Sequence, residues 1–127
     1  MTVLVAYNES PQGEAAMRAA VSEAVRREQG LAVLVLTPQD GTQVPAALAH
    51  LLDSVPDTVT VAPITFRSAD TEVADAILDQ ADAVSADLVV IGSRKHSTVG
   101  TFLVGATTQQ VLLDSPAPVL VVKASYA

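Results

Sequence analysis

Residues Asp87–Lys123 read DLVVIGSRKHSTVGTFLVGATTQQVLLDSPAPVLVVK, and the reading of this stretch decides the fold. An apolar run, Leu88–Ile91, stops at Gly92. A polar, partly basic loop follows and carries Gly92, Gly100 and Gly105. Val104, Val111 and Leu112 then recur at helical spacing. After Pro116 and Pro118 a second apolar run covers Val119–Val122. The predicted order is strand, glycine-rich loop, helix, strand. Between a strand and a helix such a loop commonly cradles an anion, because backbone N–H groups of the loop and of the helix start converge there. Any ligand of this chain is expected to touch that loop.

Working outward, the N-terminal side repeats the pattern. Thr2–Tyr7 is a short apolar run bounded by turn residues, which predicts a buried strand. Asn8-Glu9-Ser10-Pro11 turns the chain into a helix, with Ser10 as N-cap and Pro11 at the first helical position, where its missing N–H costs nothing. The helix is expected to run to about Gln29. Met17, Val21 and Val25, flanked by Ala20 and Ala24, mark its packed face, and Gly30 is the expected stop. A second strand is predicted over Leu31–Thr37, broken at Pro38-Gln39-Asp40-Gly41. Ala46, Leu48, Leu51 and Leu52 predict a weaker helix that ends near Pro56. Thr58–Phe66 is a third strand candidate, and Pro63 within it argues for an edge or a bend. Asp70 or Ser68 is the expected cap of the next helix, whose buried side carries Val73, Ile77 and Val84.

Strands and helices alternate along the whole chain, and the strands are apolar throughout. Strands covered on both faces look like that. The expectation is therefore α/β: an open, doubly wound, five-stranded parallel sheet with helices on both faces, built as a single domain over residues 1–127. In such sheets ligands bind beyond the carboxyl ends of the strands, where the strand order reverses. The candidate walls are the ends of the first strand (Tyr7–Ser10), the second (Thr37, Pro38) and the fourth (Gly92–His96).

Composition narrows the chemistry. The net charge of −7 and an aromatic content of 3% oppose a nucleic-acid surface, which wants clustered cations and stacking platforms. With no cysteine there are no disulfides and no thiolate sites. No apolar run approaches the roughly 20 residues needed to span a bilayer, and MTVLVAYNES lacks the features of a signal peptide, so a cytoplasmic protein is expected. Arg26-Arg27 reads as a solvated helix end. His50 and the helical face Asp75, Asp79 and Asp82 read as solvent-facing, and the spacing of His50 and His96 offers no metal site. Ser10, Ser93 and Ser97 read as loop serines without a catalytic partner set. A response-regulator receiver would need an acidic cluster after the first strand, which Glu9 alone does not supply.

VLVAYNES with its alanine-rich helix, then ADLVVIGSR, VGATTQQVLL and PAPVLVVK, resembles the universal stress protein domain over essentially the whole chain. The middle of the chain carries less of the likeness. The resemblance implies strand order 3-2-1-4-5 and a homodimer through the last strand, Pro118–Lys123, with Val119 and Val121 at the seam. It also implies an adenine nucleotide, ATP or AMP, as ligand. Nucleotide-binding members carry glycine, two residues, glycine, nine residues, then glycine and serine or threonine. Gly92 matches the first glycine and Gly105 the third, whereas the second falls on Lys95 and the hydroxyl residue on Ala106. The acidic residue after the first strand falls on Asn8, and a valine beside adenine lies near Thr37. The implied site thus comprises Asn8 and Thr37 on the adenosine side. Gly92, Ser93, Arg94 and Lys95 begin the phosphate loop, and Gly105, Ala106 and Thr107 end it.

The altered positions have physical weight. A left-handed Lys95 would cost about 1–2 kcal/mol, although its ammonium can meet phosphate as a point charge. Losing a hydroxyl donor at Ala106 removes about 1.5–3 kcal/mol of a bond to a charged group. Thr107 and Thr108 are expected to point a quarter-turn or more away. Asn8 keeps an acceptor and gains donors. One reading is a non-catalytic nucleotide sensor, with Arg94, Lys95 and His96 as an anion clamp; the other is a dimeric stress-protective or interaction protein that binds no nucleotide. In the second reading the same glycines serve only turns and caps.

Overall fold

The structure is a computed structural model that describes residues 1–38, 43–93 and 105–124. Along the chain come β1 (Thr2–Tyr7), α1 (Pro11–Arg27), β2 (Gly30–Val35), α2 (Ala46–Leu52) and β3 (Thr65–Phe66). α3 (Val73–Ala83), β4 (Ala86–Ser93), α4 (Ala106–Asp114) and β5 (Val119–Lys123) complete it. The strands form one five-stranded sheet in the order β3-β2-β1-β4-β5, with every pairing parallel. β1 is central: Tyr7 stands opposite Val35 on one side, and Ala6 opposite Ile91 on the other. The doubly wound parallel fold expected from the apolar strands is the fold observed.

Successive strand residues point to opposite faces, and the core divides accordingly. Val3, Val5 and Tyr7 of β1 join Leu31, Val33 and Val35 under α1 and α2. Leu4 and Ala6 join Ala32, Leu34, Val89 and Ile91 under α3 and α4, where Ile77 is fully buried. A side chain of that size contributes about 1.5–3 kcal/mol on burial. Among the described residues no helix is long and apolar enough to cross a membrane.

Local departures from expectation have local causes. α1 buries Ala16, Ala20 and Ala24 together with Met17, while Val25 is 44% exposed; the packed stripe is centred on the alanines, which let the helix lie close to the sheet. The chain leaves α1 through Glu28 in a left-handed conformation (φ 55°), so Gly30 is not the stop and instead opens β2. Neither Asp70 nor Ser68 caps α3; its N-cap is Glu72, and Ser68 Oγ accepts from the Asp70 N–H instead. The third strand shrinks to Thr65–Phe66 plus one bridge between Leu31 and Val61, because Pro63 has no N–H to donate between them. β4 does not stop at Gly92: Gly92 and Ser93 remain in the strand, opposite Val122 and Lys123. On α4, Val111 is buried but Leu112 faces solvent, and Val104 lies outside the described residues.

Ser10 caps α1 as expected: its extended backbone (φ −160°) lets Oγ accept from the Gly13 N–H at 3.0 Å. Ser10 Oγ–H in turn donates to Asn8 Oδ1. This first turn is jammed against the strand ends. A Cβ at Gly13 would collide with the Asn8 carbonyl oxygen, and one at Gly92 with the Gln12 carbonyl oxygen. Around Gly105 nothing lies within 4 Å of such an atom, and its φ of −64° suits any residue. Gly13→Ala and Gly92→Ala are therefore expected to lose about 1–3 kcal/mol each in urea denaturation, as overpacked sites do. Gly105→Ala should lose under about 1 kcal/mol, the scale of an altered N-cap.

Candidate functional site

Of the helices that follow β1 and β4, α1 packs on one face of the sheet and α4 on the other. Beyond the carboxyl ends of these strands lies a crevice of about 430 Å³, walled by Asn8, Gln12, Thr37, Arg67, Gly92, Thr107 and Thr108 over a floor that includes Ala6 and Ile91. Four of the expected site residues meet there: Asn8, Thr37, Gly92 and Thr107. Ser93 is buried in β4 and does not line the crevice. Gly105 is the N-cap of α4 and Ala106 its first residue; both are exposed, directly before the threonines in the chain, and outside the lining. Arg94, Lys95, His96 and Gly100 lie outside the described residues.

Each wall has a local origin. Asn8 follows the last residue of β1, and its Oδ1 is taken by Ser10 Oγ–H, so the hydrogens on Nδ2 are what remain to be offered. Ser10 N–H also donates to the Asn8 carbonyl at 3.0 Å, which tightens the turn. Gly92 brings the β4 backbone against the first turn of α1. Thr107 and Thr108 both line the crevice, whereas Ala106, the expected hydroxyl position, does not; Thr108 is buried and Thr107 exposed. Gly105 gives the first turn of α4 no side-chain cap, and the positive dipole end of the helix lies beside the crevice-lining Thr107 and Thr108.

Two lining residues were not legible from motif or spacing. Arg67 follows β3, and its Nε donates to the Leu36 carbonyl (2.7 Å) while Nη1 donates to the Thr71 carbonyl (2.6 Å). It thereby ties the end of β2 to the approach to α3 and sets a guanidinium in the crevice wall. Among the described residues no carboxylate pairs with it. Gln12 reads in sequence as an ordinary first-turn residue, yet it is buried between Asn8 and Gly92. The only signal for either would have been the three-dimensional course of β3 and α1.

The model of the Universal stress protein family matches residues 1–123. The chain belongs to the universal stress protein family. It is 34% identical over 131 aligned residues to a universal stress protein of Mycolicibacterium smegmatis, covering 95% of this chain and 96% of the relative. A universal stress protein structure from Archaeoglobus fulgidus superposes with a TM-score of 0.71 at 26% identity, over 97% of this chain and 98% of that one. A further Archaeoglobus fulgidus structure, a universal stress protein in complex with dAMP, gives 0.69 at 23% identity over 97% and 98%.

In this universal stress protein Tyr7 faces away from the crevice, into the core under α1 and α2. Burial raises its phenol pKa, and the carboxylates of Glu9 and Glu14 raise it further. The folded form thus holds its proton above pH 10, where the unfolded chain releases it. Folding stability is expected to fall as pH rises past the ordinary phenol value. Absorbance titration at alkaline pH should show a late-ionising tyrosine that disappears in Tyr7→Phe.

Proposed function

We propose that this universal stress protein binds an adenine nucleotide, ATP or AMP, weakly and without turning it over, as a sensor in a cytoplasmic stress response. The observation that carries the reading is the gathering of Asn8, Thr37, Gly92 and Thr107 around one crevice at the point where the strand order reverses. The ends of β3 and β4 are three strand positions apart, roughly 14 Å at the usual interstrand spacing, which is room for base, sugar and phosphate laid end to end. In this reading Asn8 and Thr37 meet the adenosine. Gly92, Arg94, Lys95 and Gly105 hold the phosphates, with Ser93 behind them and the Thr107 hydroxyl in place of the one absent from Ala106. Gly105 supports it: nothing among the described residues requires a glycine there, whereas a phosphate approaching the backbone closely would. So does the Archaeoglobus fulgidus relative that holds dAMP. Asn8 argues against turnover, since a carboxamide cannot take a proton from water as a carboxylate can.

Calorimetric titration with AMP and ATP tests this, and the expected result is saturable binding without phosphate release. Ala106→Ser should tighten binding roughly tenfold or more, the worth of a hydroxyl bond to a charged group. Lys95→Ala should weaken it. Absence of heat at millimolar nucleotide for both the parent protein and Ala106→Ser would end the nucleotide reading.

A second reading, a dimeric protein that works through association alone, is favoured by the β5 edge. Among the described residues that edge has no neighbouring strand, and Leu120 on it is 36% exposed. A homodimer seamed along Val119 and Val121 would cover it. Light scattering should give twice the chain mass, and Val121→Asp the single-chain mass; a monomeric parent protein would exclude the seam.

A further inference from the structure

Arg67 follows β3 and lines the crevice together with Leu36, Thr37, Pro38 and Val73. Two of its nitrogens are held by the backbone: Nε donates to the Leu36 carbonyl at 2.7 Å and Nη1 to the Thr71 carbonyl at 2.6 Å. A weaker bond runs from Nη1 to the Ser68 carbonyl at 3.4 Å. These bonds fix the plane of the guanidinium. Among the described residues Nη2 has no protein partner, and no carboxylate pairs with the group. The chain carries a net charge of −7, so carboxylates are plentiful and yet none is spent here. In the free protein water meets Nη2. What the position selects is set by what a guanidinium cannot do: it donates and never accepts.

The strand order puts Arg67 at the β3–β2 end of the crevice and the first turn of α4 at the β4 end. A nucleotide with its phosphates toward α4 turns its base toward Leu36, Thr37 and Arg67. Arg67 has already engaged the Leu36 carbonyl, a strand-end oxygen that would otherwise be free to accept from an exocyclic amine. The base edge that reaches this wall therefore meets a fixed donor. Adenine presents acceptor N7 beside a donor, its 6-amino group. Hypoxanthine and guanine present N7 and O6, two adjacent acceptors that match the guanidinium fork. An amine set against a guanidinium is donor facing donor, and neither gains a bond for the water it gives up.

We propose that Arg67 sets the base preference of the crevice: it favours 6-oxopurine nucleotides, those of hypoxanthine and guanine, over adenine nucleotides. This rests on the nucleotide reading above and makes the weak adenine binding stated there the lesser of two affinities. AMP, IMP and GMP are titrated by calorimetry into the parent protein, Arg67→Gln and Arg67→Lys, and the melting temperature of each ligand-free protein is recorded. IMP differs from AMP only in the base, so that pair isolates the base edge. The parent is expected to bind IMP and GMP about tenfold or more tighter than AMP, the worth of a hydrogen bond to a charged group. Arg67→Gln can both donate and accept, and should bring the three within about threefold of one another. Arg67→Lys keeps the charge without the fork, and its preference should shrink. A merely structural role for Arg67 would weaken all three nucleotides alike and keep their ratio, which overturns the proposal. The ratio in the parent decides even where the lost backbone bonds unfold both variants. Equal affinity of the parent for AMP and IMP, or tighter AMP, overturns the base preference and leaves nucleotide binding standing. Binding of IMP with none of AMP supports it and ends the adenine reading. No binding of any of the three overturns both.

Discussion

The structure turns on how closely the first turn of α1 approaches the strand ends beside it. At Gly13 and Gly92 there is no room for a methyl group, because backbone carbonyls of Asn8 and Gln12 occupy the space. Interiors are packed densely enough that such contacts cannot be widened without moving the elements themselves. The contact fixes where α1 starts relative to β1 and β4. It also fixes where Asn8 and Gln12 are presented. Ser10 completes the arrangement by capping the helix with one lone pair and giving its proton to Asn8. Helix start, strand end and crevice wall are thus one piece of backbone.

Because strand side chains alternate, the two faces of the sheet have different tasks. The face under α1 and α2 takes Tyr7 and the bulk of the valines, and is filled. The face under α3 and α4 is filled as far as Ile91, and beside it the crevice opens. Arg67 bounds that opening on the far side. Its bonds to Leu36 and Thr71 join β2 to the approach to α3, so the wall and the helix behind it are mechanically connected.

Much of this was legible in the chain itself. Continuous apolar strands such as VLVAY and LVVI announce burial on both faces, and Ser10-Pro11 announces a helix start; both readings follow from short-range physics and both hold. Strand order came from family likeness, since no local property of Val5 says that Val33 and Val90 flank it. Errors fell where tertiary packing overrides local preference. Val25 has the right spacing to be buried but lies beyond the alanine stripe that the sheet accepts. Gly30 has the right chemistry for a helix stop, yet Glu28 takes the left-handed turn two residues earlier. Of the candidate site, Gly92 and Thr107 could be reached by matching the family's loop pattern, and Asn8 and Thr37 by matching the ends of the first two strands. Arg67 and Gln12 could not, because nothing in their neighbours along the chain distinguishes them from surface residues.

The proline at position 63 leaves its mark at the margin of the sheet. It reduces β3 to two residues, so that margin offers few free backbone groups in line, and a short, interrupted margin is a poor template for another strand. The opposite margin, β5, is five residues long and unbroken. Endless side-by-side stacking of sheets would need a good template on each flank, and this molecule has one. In the proposed homodimer, strand addition through β5 would therefore close after a single symmetric event rather than polymerise.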